Sequence, residues 1–247
     1  MAHTLNTRTL NDTSTKAVVM CDGRATDGTD LAANVAFDSS ASAYALATIT
    51  LAAVPTTNFC IGEVITSDSI SMIVQNYTKA ATTVTVYRCT SGTDSTPLGW
   101  SGATVPGTTE AIVGSVSGTC STTTHASTVV AHVGKVVNLR AIRWDATGGH
   151  TLLLYFAGSS VVQNIGYFNR GGSWGDSANF ISVTQGAAAG DTGSVLGDIL
   201  ATSYDSALHD TETFQMEIGK ITGWNTPNYE GNGQLGYSTQ RIQHGNY

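Results

Sequence analysis

Short runs of apolar residues, bounded by turn-forming residues, recur along the whole chain of 247 residues. Apolar and polar residues alternate clearly in TTVTVYR, where Val84 and Val86 share one face. They alternate again in TETFQMEIGKI, where Phe214, Met216 and Ile218 share one face. A period of two residues is typical of a strand with one buried face, whereas the 3.6-residue period of helices is hard to find here. The pattern therefore predicts an all-β protein.

The apolar runs also give the approximate limits of the strands. The predicted strands cover residues 16–21, 45–53, 60–66, 69–77, 82–89, 110–116, 127–133, 136–143, 151–157, 178–184, 195–202 and 211–221. The run TLLLYFAG is apolar on both faces, which is typical of a central strand. In the last strand two charged residues, Glu212 and Lys220, fall in the register of the apolar row. Many short strands of this kind favour a sandwich or a barrel.

The middle of the chain has a different texture from the regions that flank it, because its turns follow one another closely. Between Cys60 and Cys89, three successive strand patterns are joined by the turns TSDS and YTKAAT, which predicts an antiparallel meander. We therefore predict a discontinuous, jelly-roll-like β-sandwich core formed by residues 16–54 and 136–222. Residues 55–135 are predicted to be an inserted or elaborated small β-meander or barrel.

Both ends of the chain are polar and have few apolar residues to bury. Residues 1–15 and residues 223–247 are therefore predicted to be arms, either loose or docked along other subunits. The N-terminal segment also lacks the apolar core of a signal peptide, so we expect the chain to fold in the cytoplasm.

The cysteines at positions 21, 60, 89 and 120 do not have the spacing of a zinc site. In a cytoplasmic chain of this length they do not indicate a disulfide framework either. The first and third strands of a meander lie about 10 Å apart, which is farther than a disulfide reaches. We therefore expect Cys60 and Cys89 to be separate free thiols, unless the strands close into a barrel that brings them together.

Composition and motifs exclude several classes of function. Only 12% of the residues are charged and the net charge is −7, without any run of Lys or Arg that would suit nucleic acid. No apolar run approaches the roughly 20 residues that span a bilayer. Metal-type histidine spacing, phosphate-binding loops and nucleophile-elbow motifs are all missing from the sequence. We expect a non-enzymatic protein with no cofactor, metal, nucleic-acid partner or membrane partner.

One stretch, GYFNRGGSWGD, groups aromatic residues and an arginine around glycines: Tyr167, Phe168, Arg170 and Trp174. Such a loop could stack on a sugar or form an interaction hot spot, or its aromatic side chains could fold back on the edge of the core. Three further aromatic residues could anchor the C-terminal arm to a neighbour: Trp224, Tyr229 and Tyr247.

Several longer stretches resemble small virion proteins of tailed phages, many of them marine. They are TLNTRTLNDTSTKAVVMCDGRATDGTDLAANVAFDSS near the start, NLRAIRWDATGGHTLLLYFAGSS, and TGSVLGDILATSYDSALHDTETFQMEIGKI. In the last stretch the match lies on Thr192, Gly193, Gly197, Asp198, Ile199, Leu200 and Lys220. The Gly62–Glu63 step is similar to the step that opens a strand in short β-modules of phage structural proteins. The family core is shorter and lacks the region 55–135.

The resemblance implies a virion component with a β-sandwich core. We expect a capsid decoration (cement) protein that bridges capsomers, with the major capsid protein and copies of itself as partners. A trimer or another symmetric homo-oligomer is expected. The alternatives are a tail, fibre or baseplate component, or a carbohydrate-binding module that recognises a host glycan. The expected location is the virion, after assembly in the host cytoplasm.

Overall fold

The structure is a computed structural model. It describes residues 3–92, 94, 96–100, 106, 111–121, 125–132, 135–157, 163–175, 183–184 and 197–224. Every regular element in these ranges is a strand, and every strand pairing is antiparallel. The all-β fold class predicted from the sequence is therefore confirmed. Among the described residues no helix has the length and apolarity needed to cross a membrane.

The strands are numbered in chain order. The first three are β1 (Thr4–Asp12), β2 (Lys16–Arg24) and β3 (Asn34–Phe37). The next are β4 (Leu46–Leu51), β5 (Val64–Ser67), β6 (Ile70–Tyr77), β7 (Thr83–Cys89), β8 (Pro97–Leu98), β9 (Ile112–Gly114), β10 (Gly118–Ser121) and β11 (His125–His132). The last are β12 (Val136–Thr147), β13 (Thr151–Phe156), β14 (Gln163–Asn169), β15 (Gly171–Trp174), β16 (Val183–Thr184), β17 (Ile199–Tyr204) and β18 (Thr211–Thr222).

The chain forms two compact units. The first unit contains residues 1–39 and 134–222, and the second contains residues 40–133 and 223–247. The first unit holds two sheets, one in the order β1-β2-β18-β12-β15 with β16 also on β12, and one in the order β14-β13-β17-β3. On β18 the buried residues include Phe214 and Met216, as alternation predicts, whereas residues 152–156 of β13 are all buried, as expected for a strand that is apolar on both faces. This unit is sandwich-like.

The N-terminal strand β1 differs from the expected arm. Residues 1–15 are predicted to be an arm, but Thr4–Asp12 form a regular strand paired along its length with β2. Nearly every residue of β1 is exposed on both faces, so its polar sequence gives no sign of a strand with a buried side. The strand forms because β2 supplies main-chain hydrogen bonds, which do not depend on the side chains.

The second unit contains the sheet β10-β9-β5-β6-β7-β4-β11, with β8 also paired to β7. Its centre is the predicted meander, because β5, β6 and β7 pair in sequence. The described strands form an open sheet rather than the barrel that was the alternative. Cys60 and Cys89 are both free thiols, as predicted. One strand lies elsewhere than predicted: β4 was assigned to the sandwich core, but its partners are β7 and β11.

Candidate functional site

The stretch GYFNRGGSWGD, predicted to be a loop, consists mostly of two strands that meet at a corner. Tyr167 and Phe168 end β14 in the four-stranded sheet, and Trp174 ends β15 in the other sheet of the same unit. Arg170 sits between them with φ of 53°, a left-handed conformation that lets the chain turn from one sheet to the other. The stretch therefore joins the two edges of the sandwich on one side.

The corner directs its aromatic side chains in different directions. Tyr167 is 63% exposed and Arg170 is also exposed, whereas Trp174 is half-buried. Phe168 points inward and meets Trp144 of β12 edge to face, with ring centroids 4.9 Å apart. Phe168 thus belongs to the core, and Trp144 is a member of this group that the sequence pattern does not reveal.

The close fit around Trp144 explains Gly172. The indole nitrogen donates to the carbonyl of Asn169 at 3.2 Å. A Cβ on Gly172 would lie 2.5 Å from an atom of the Trp144 ring, so only glycine lets β15 pass over the indole face. Gly172 thus serves cross-strand packing against its partner Trp144 within one sheet, and Tyr167 and Arg170 remain as the exposed part of the stretch.

Of the three predicted anchors near the C-terminus, the structure describes Trp224. Trp224 belongs to the second unit, where it is 5% exposed and forms an isolated bridge with Ala45. Trp224 is therefore a core residue of its own unit rather than an exposed anchor. Tyr229 and Tyr247 lie outside the described residues.

A buried cluster of four titratable side chains lies within the first unit, and the sequence analysis did not identify it. His3 Nε2 lies 2.7 Å from Glu212 Oε1. His150 Nε2 lies 3.2 Å from Glu212 Oε2, and its Nδ1 lies 3.3 Å from Asp210 Oδ2. The two imidazole rings stand edge to face with centroids 6.1 Å apart. All four residues are at most 6% exposed, so they interact without solvent screening.

Local sequence explains how these side chains converge. Glu212 occupies the inward register of β18, where the alternation would place an apolar residue. A Cβ on Gly23 of β2 would overlap the Glu212 carboxylate, so glycine provides the room for it. His3 directly precedes β1, and its ring is held by Ser203 of β17, whose hydroxyl lies 3.2 Å from Nδ1. The cluster therefore joins β1 to both sheets of the sandwich.

Burial and charge shift the pKa values in this cluster. Burial raises the pKa of Glu212 from its ordinary 4.5 to about 7, and the neighbouring charge of Asp210 adds to the shift. Burial and the proximity of His150 lower the pKa of His3. Glu212 therefore binds and releases a proton close to neutral pH.

Ser203, His3 and Glu212 stand in series, an order that is also found in hydrolases with an activated serine. Here the serine is 1% exposed, and its Oγ already accepts a hydrogen bond from the Leu31 N–H at 2.7 Å. A substrate carbonyl would have to displace that bond and the covering residues. In the described ranges no group of three or more His, Cys, Asp or Glu side chains is arranged to hold a metal ion. The contacts with Ser203 and Glu212 hold the His3 ring in place.

Three more charged side chains are buried, and two of them bind specific partners. Lys220, at the far end of the inward row of β18, donates from Nζ to Asp12 Oδ1 at 2.5 Å and to the Thr13 carbonyl at 2.6 Å. Lys135 is fully buried, and its Nζ has no hydrogen-bond partner in the part of the chain that the structure describes. Glu63 forms the third case and has the most partners.

The Glu63 carboxylate is 1% exposed and holds two segments of the second unit together. Oε1 accepts hydrogen bonds from the Cys60 N–H at 2.6 Å and the Ser117 hydroxyl at 2.7 Å. Oε2 accepts from the backbone N–H groups of Val116 and Ser117, each at 3.0 Å. Cys60 to Glu63 consequently form a turn before β5, which shortens the strand predicted over 60–66.

Comparison with known proteins identifies no relative: no protein family model matches the chain, and no curated protein matches it.

Proposed function

We propose that this protein is a non-enzymatic structural component of a phage particle, namely a decoration protein that bridges and stabilises capsomers. The resemblance of its sequence to small virion proteins of tailed phages motivates the proposal. A chain that stabilises a shell needs surfaces for its neighbours, and it needs no chemistry of its own. The major capsid protein and other copies of this chain are the proposed partners.

One structural observation carries the proposal. Strand β1 lies at the end of its sheet, is nine residues long and is exposed on both faces. Within the described residues its only strand partner is β2, so the main-chain groups along its other edge can accept a further strand. Strand addition gives affinity through backbone hydrogen bonds and asks little of the partner's sequence. A strand that buries so little in its own chain is well suited to contacts between chains.

The proposal is tested on purified particles of the phage that encodes the chain. Quantitative mass spectrometry should find the protein in the virion at hundreds of copies, on the order expected for a shell component. A dozen copies or fewer would assign it to the tail, fibre or baseplate instead. Its absence from purified particles would refute a structural role.

A second candidate function, glycan binding in host attachment, rests on the corner between β14 and β15. Tyr167 is the most exposed of the large apolar and aromatic side chains of the described residues, and Arg170 is also exposed. An exposed aromatic ring beside a guanidinium group can stack on a sugar and donate hydrogen bonds to its hydroxyl groups.

Glycan binding is tested by an array of host polysaccharides probed with wild type and Tyr167→Ala. The expected result is binding that the substitution weakens at least tenfold, or by about 1.4 kcal/mol. Val116→Ala, which shortens a side chain that is 57% exposed in the turn between β9 and β10, is the matched control. Equal binding by wild type and Tyr167→Ala would contradict this function.

A further inference from the structure

We propose that His3, His150, Asp210 and Glu212 form a proton-operated latch that fixes the beginning of β1 to the sandwich and releases it as the pH rises above neutral. The latch concerns how the chain holds its own N-terminal strand, so it does not depend on the proposed capsid partner.

Strand β1 is held mainly by contacts other than apolar packing. Its own side chains bury little, so burial of apolar surface contributes little to its position. Besides the pairing with β2, two buried charges of β18 fix its ends. Glu212 binds His3 just before the strand, and Lys220 binds Asp12 at the last residue of the strand. Since β2 lies between β1 and β18, these contacts reach across a neighbouring strand.

The contacts at the His3 end need one more proton than two neutral histidines supply. Three ring nitrogens face carboxylate oxygens: Nε2 of His3, and both Nδ1 and Nε2 of His150. A neutral imidazole carries a single N–H, so the two rings together supply two protons for three contacts. All three contacts are attractive only when the cluster holds one additional proton, on His150 or on a carboxyl group.

Loss of this proton leaves negative charge in the buried cluster. Neither His150 nitrogen is aligned for a hydrogen bond, and Glu212 Oε2 also lacks one in the described part of the chain, so these contacts depend on electrostatic attraction. Asp210 and Glu212 have no ion pair with lysine or arginine among the described residues. After deprotonation the cluster therefore contains two buried carboxylates and no compensating cation.

The charged and titratable groups around the cluster come from several elements. His3 precedes β1, His150 lies in the turn between β12 and β13, and Asp210 and Glu212 come from the start of β18. Asp30 lies before β3, near the cluster, and accepts a hydrogen bond from the Ser206 N–H at 2.9 Å. Adjacent β17 and β2 contribute uncharged groups, the Ser203 hydroxyl and the backbone at Gly23. The surroundings are therefore acidic, and they favour retention of a proton near neutral pH.

The direction of the effect follows from Glu212. Its pKa in the folded chain is about 7, against an ordinary 4.5, so between these values the folded chain keeps a proton that the unfolded chain has released. Stability from this group is fully present below pH 4.5 and is lost as the pH rises through about 7. The lowered pKa of His3 acts in the opposite direction, since its contribution is lost as the pH falls below 6.5 through the lowered value. The latch is thus closed in mildly acidic solution.

Hydrogen exchange of the β1 amides measures the latch directly. We expect protection of the residues at the Thr4 end, corrected for the intrinsic exchange rate, to fall about twofold from pH 7 to about pH 8.5, because Glu212 is already half deprotonated at pH 7. Protection at the Asp12 end should change less, because Lys220 still binds there. In Glu212→Gln the protection should stay constant over the same range. Asp22→Asn removes a carboxylate of β2 that is 45% exposed and pairs with Arg8 of β1 at 3.7 Å, so its protection should keep the pH dependence of the wild type whatever its overall level.

Two outcomes would overturn the latch. One is protection of β1 in the wild type that does not depend on pH, and the other is a pH dependence that persists in Glu212→Gln. If that variant does not fold, a carboxyl ¹³C titration of the wild-type protein replaces it. A Glu212 midpoint near 7 together with shifts of the β1 amides supports the latch, whereas a midpoint near 4.5 overturns it.

Discussion

Replacing Lys135 with methionine should stabilise the protein. The lysine is 0% exposed, and its Nζ is among the buried atoms that have no hydrogen-bond partner in the described residues. The charges of Asp198 and Asp38 attract the ammonium, but burial is the larger effect and lowers the pKa of Lys135 from 10.5 to about 8. Methionine fills a similar volume without a charge, so the substitution removes the desolvation cost and keeps the packing.

The magnitude follows from the pKa. A fall of 2.5 from 10.5 to about 8 corresponds to about 3 kcal/mol, at about 1.4 kcal/mol for each pH unit. Asp198 loses one favourable charge in the variant but keeps the hydrogen bonds that Ser39 donates to its Oδ1 at 2.7 and 2.8 Å. We therefore expect the free energy of unfolding at pH 7 to rise by about 2–3 kcal/mol.

The pH dependence provides an independent check on this cause. A depressed pKa contributes stability that is present above 10.5 and is lost as the pH falls through about 8. The advantage of Lys135→Met over the wild type should therefore shrink from pH 8 to pH 10.5. Urea unfolding at several pH values measures it, with Lys16→Met as the control.

Lys16 forms a partly exposed ion pair with Glu217 at 3.4 Å, and its removal should change stability by less than about 1 kcal/mol. A loss of stability in Lys135→Met at pH 7, or an advantage that does not shrink in alkaline solution, would refute the argument that the cost of burying this ammonium exceeds its attraction to Asp198 and Asp38.

Three further predictions address other parts of the molecule. Glu63→Gln should lower the free energy of unfolding by about 2–3 kcal/mol in urea, since an amide nitrogen would face donors that now bind a carboxylate; an unchanged midpoint would contradict this. Trp144→Ala should lower it by about 2–3 kcal/mol because Phe168 loses its partner, and a loss below about 0.5 kcal/mol would show that the contact is not structural. In an alkylation time course followed by mass spectrometry, Cys60 should react faster than Cys89, which is 1% exposed and whose pKa burial raises to about 11; equal rates would contradict the burial.

Alternation was a sufficient signal for strands with one buried face. The strand predicted over 211–221 corresponds to β18, and its row Phe214, Met216 and Ile218 is buried. The same criterion misses β1 and β15, since both are largely exposed and their sequences are polar or glycine-rich. Pairing with a neighbour forms these edge strands, and a pattern within one segment does not record its neighbours.

The site was harder to predict than the strands. Spacing along the chain cannot relate His3 to His150, because the fold alone brings them together. One signal was nevertheless present, since Glu212 and Lys220 interrupt the apolar register of β18. A charged residue at an inward position needs a partner from elsewhere in the chain. Each of these two residues finds its partner at one end of β1.

These two contacts help to explain why the polar N-terminus is a strand and not a loose arm. Its composition predicts an arm, because a segment that buries nothing has nothing to hold it. Two buried charges of β18, which lie more than 200 positions away in the sequence, bind its two ends. The two ends are held differently, since Asp12 binds a lysine whereas His3 binds a carboxyl group that titrates near neutral pH. With the proposed latch, β1 is held by an ion pair at its Asp12 end and by a titrating contact at its His3 end, so it can open from its beginning without leaving its sheet.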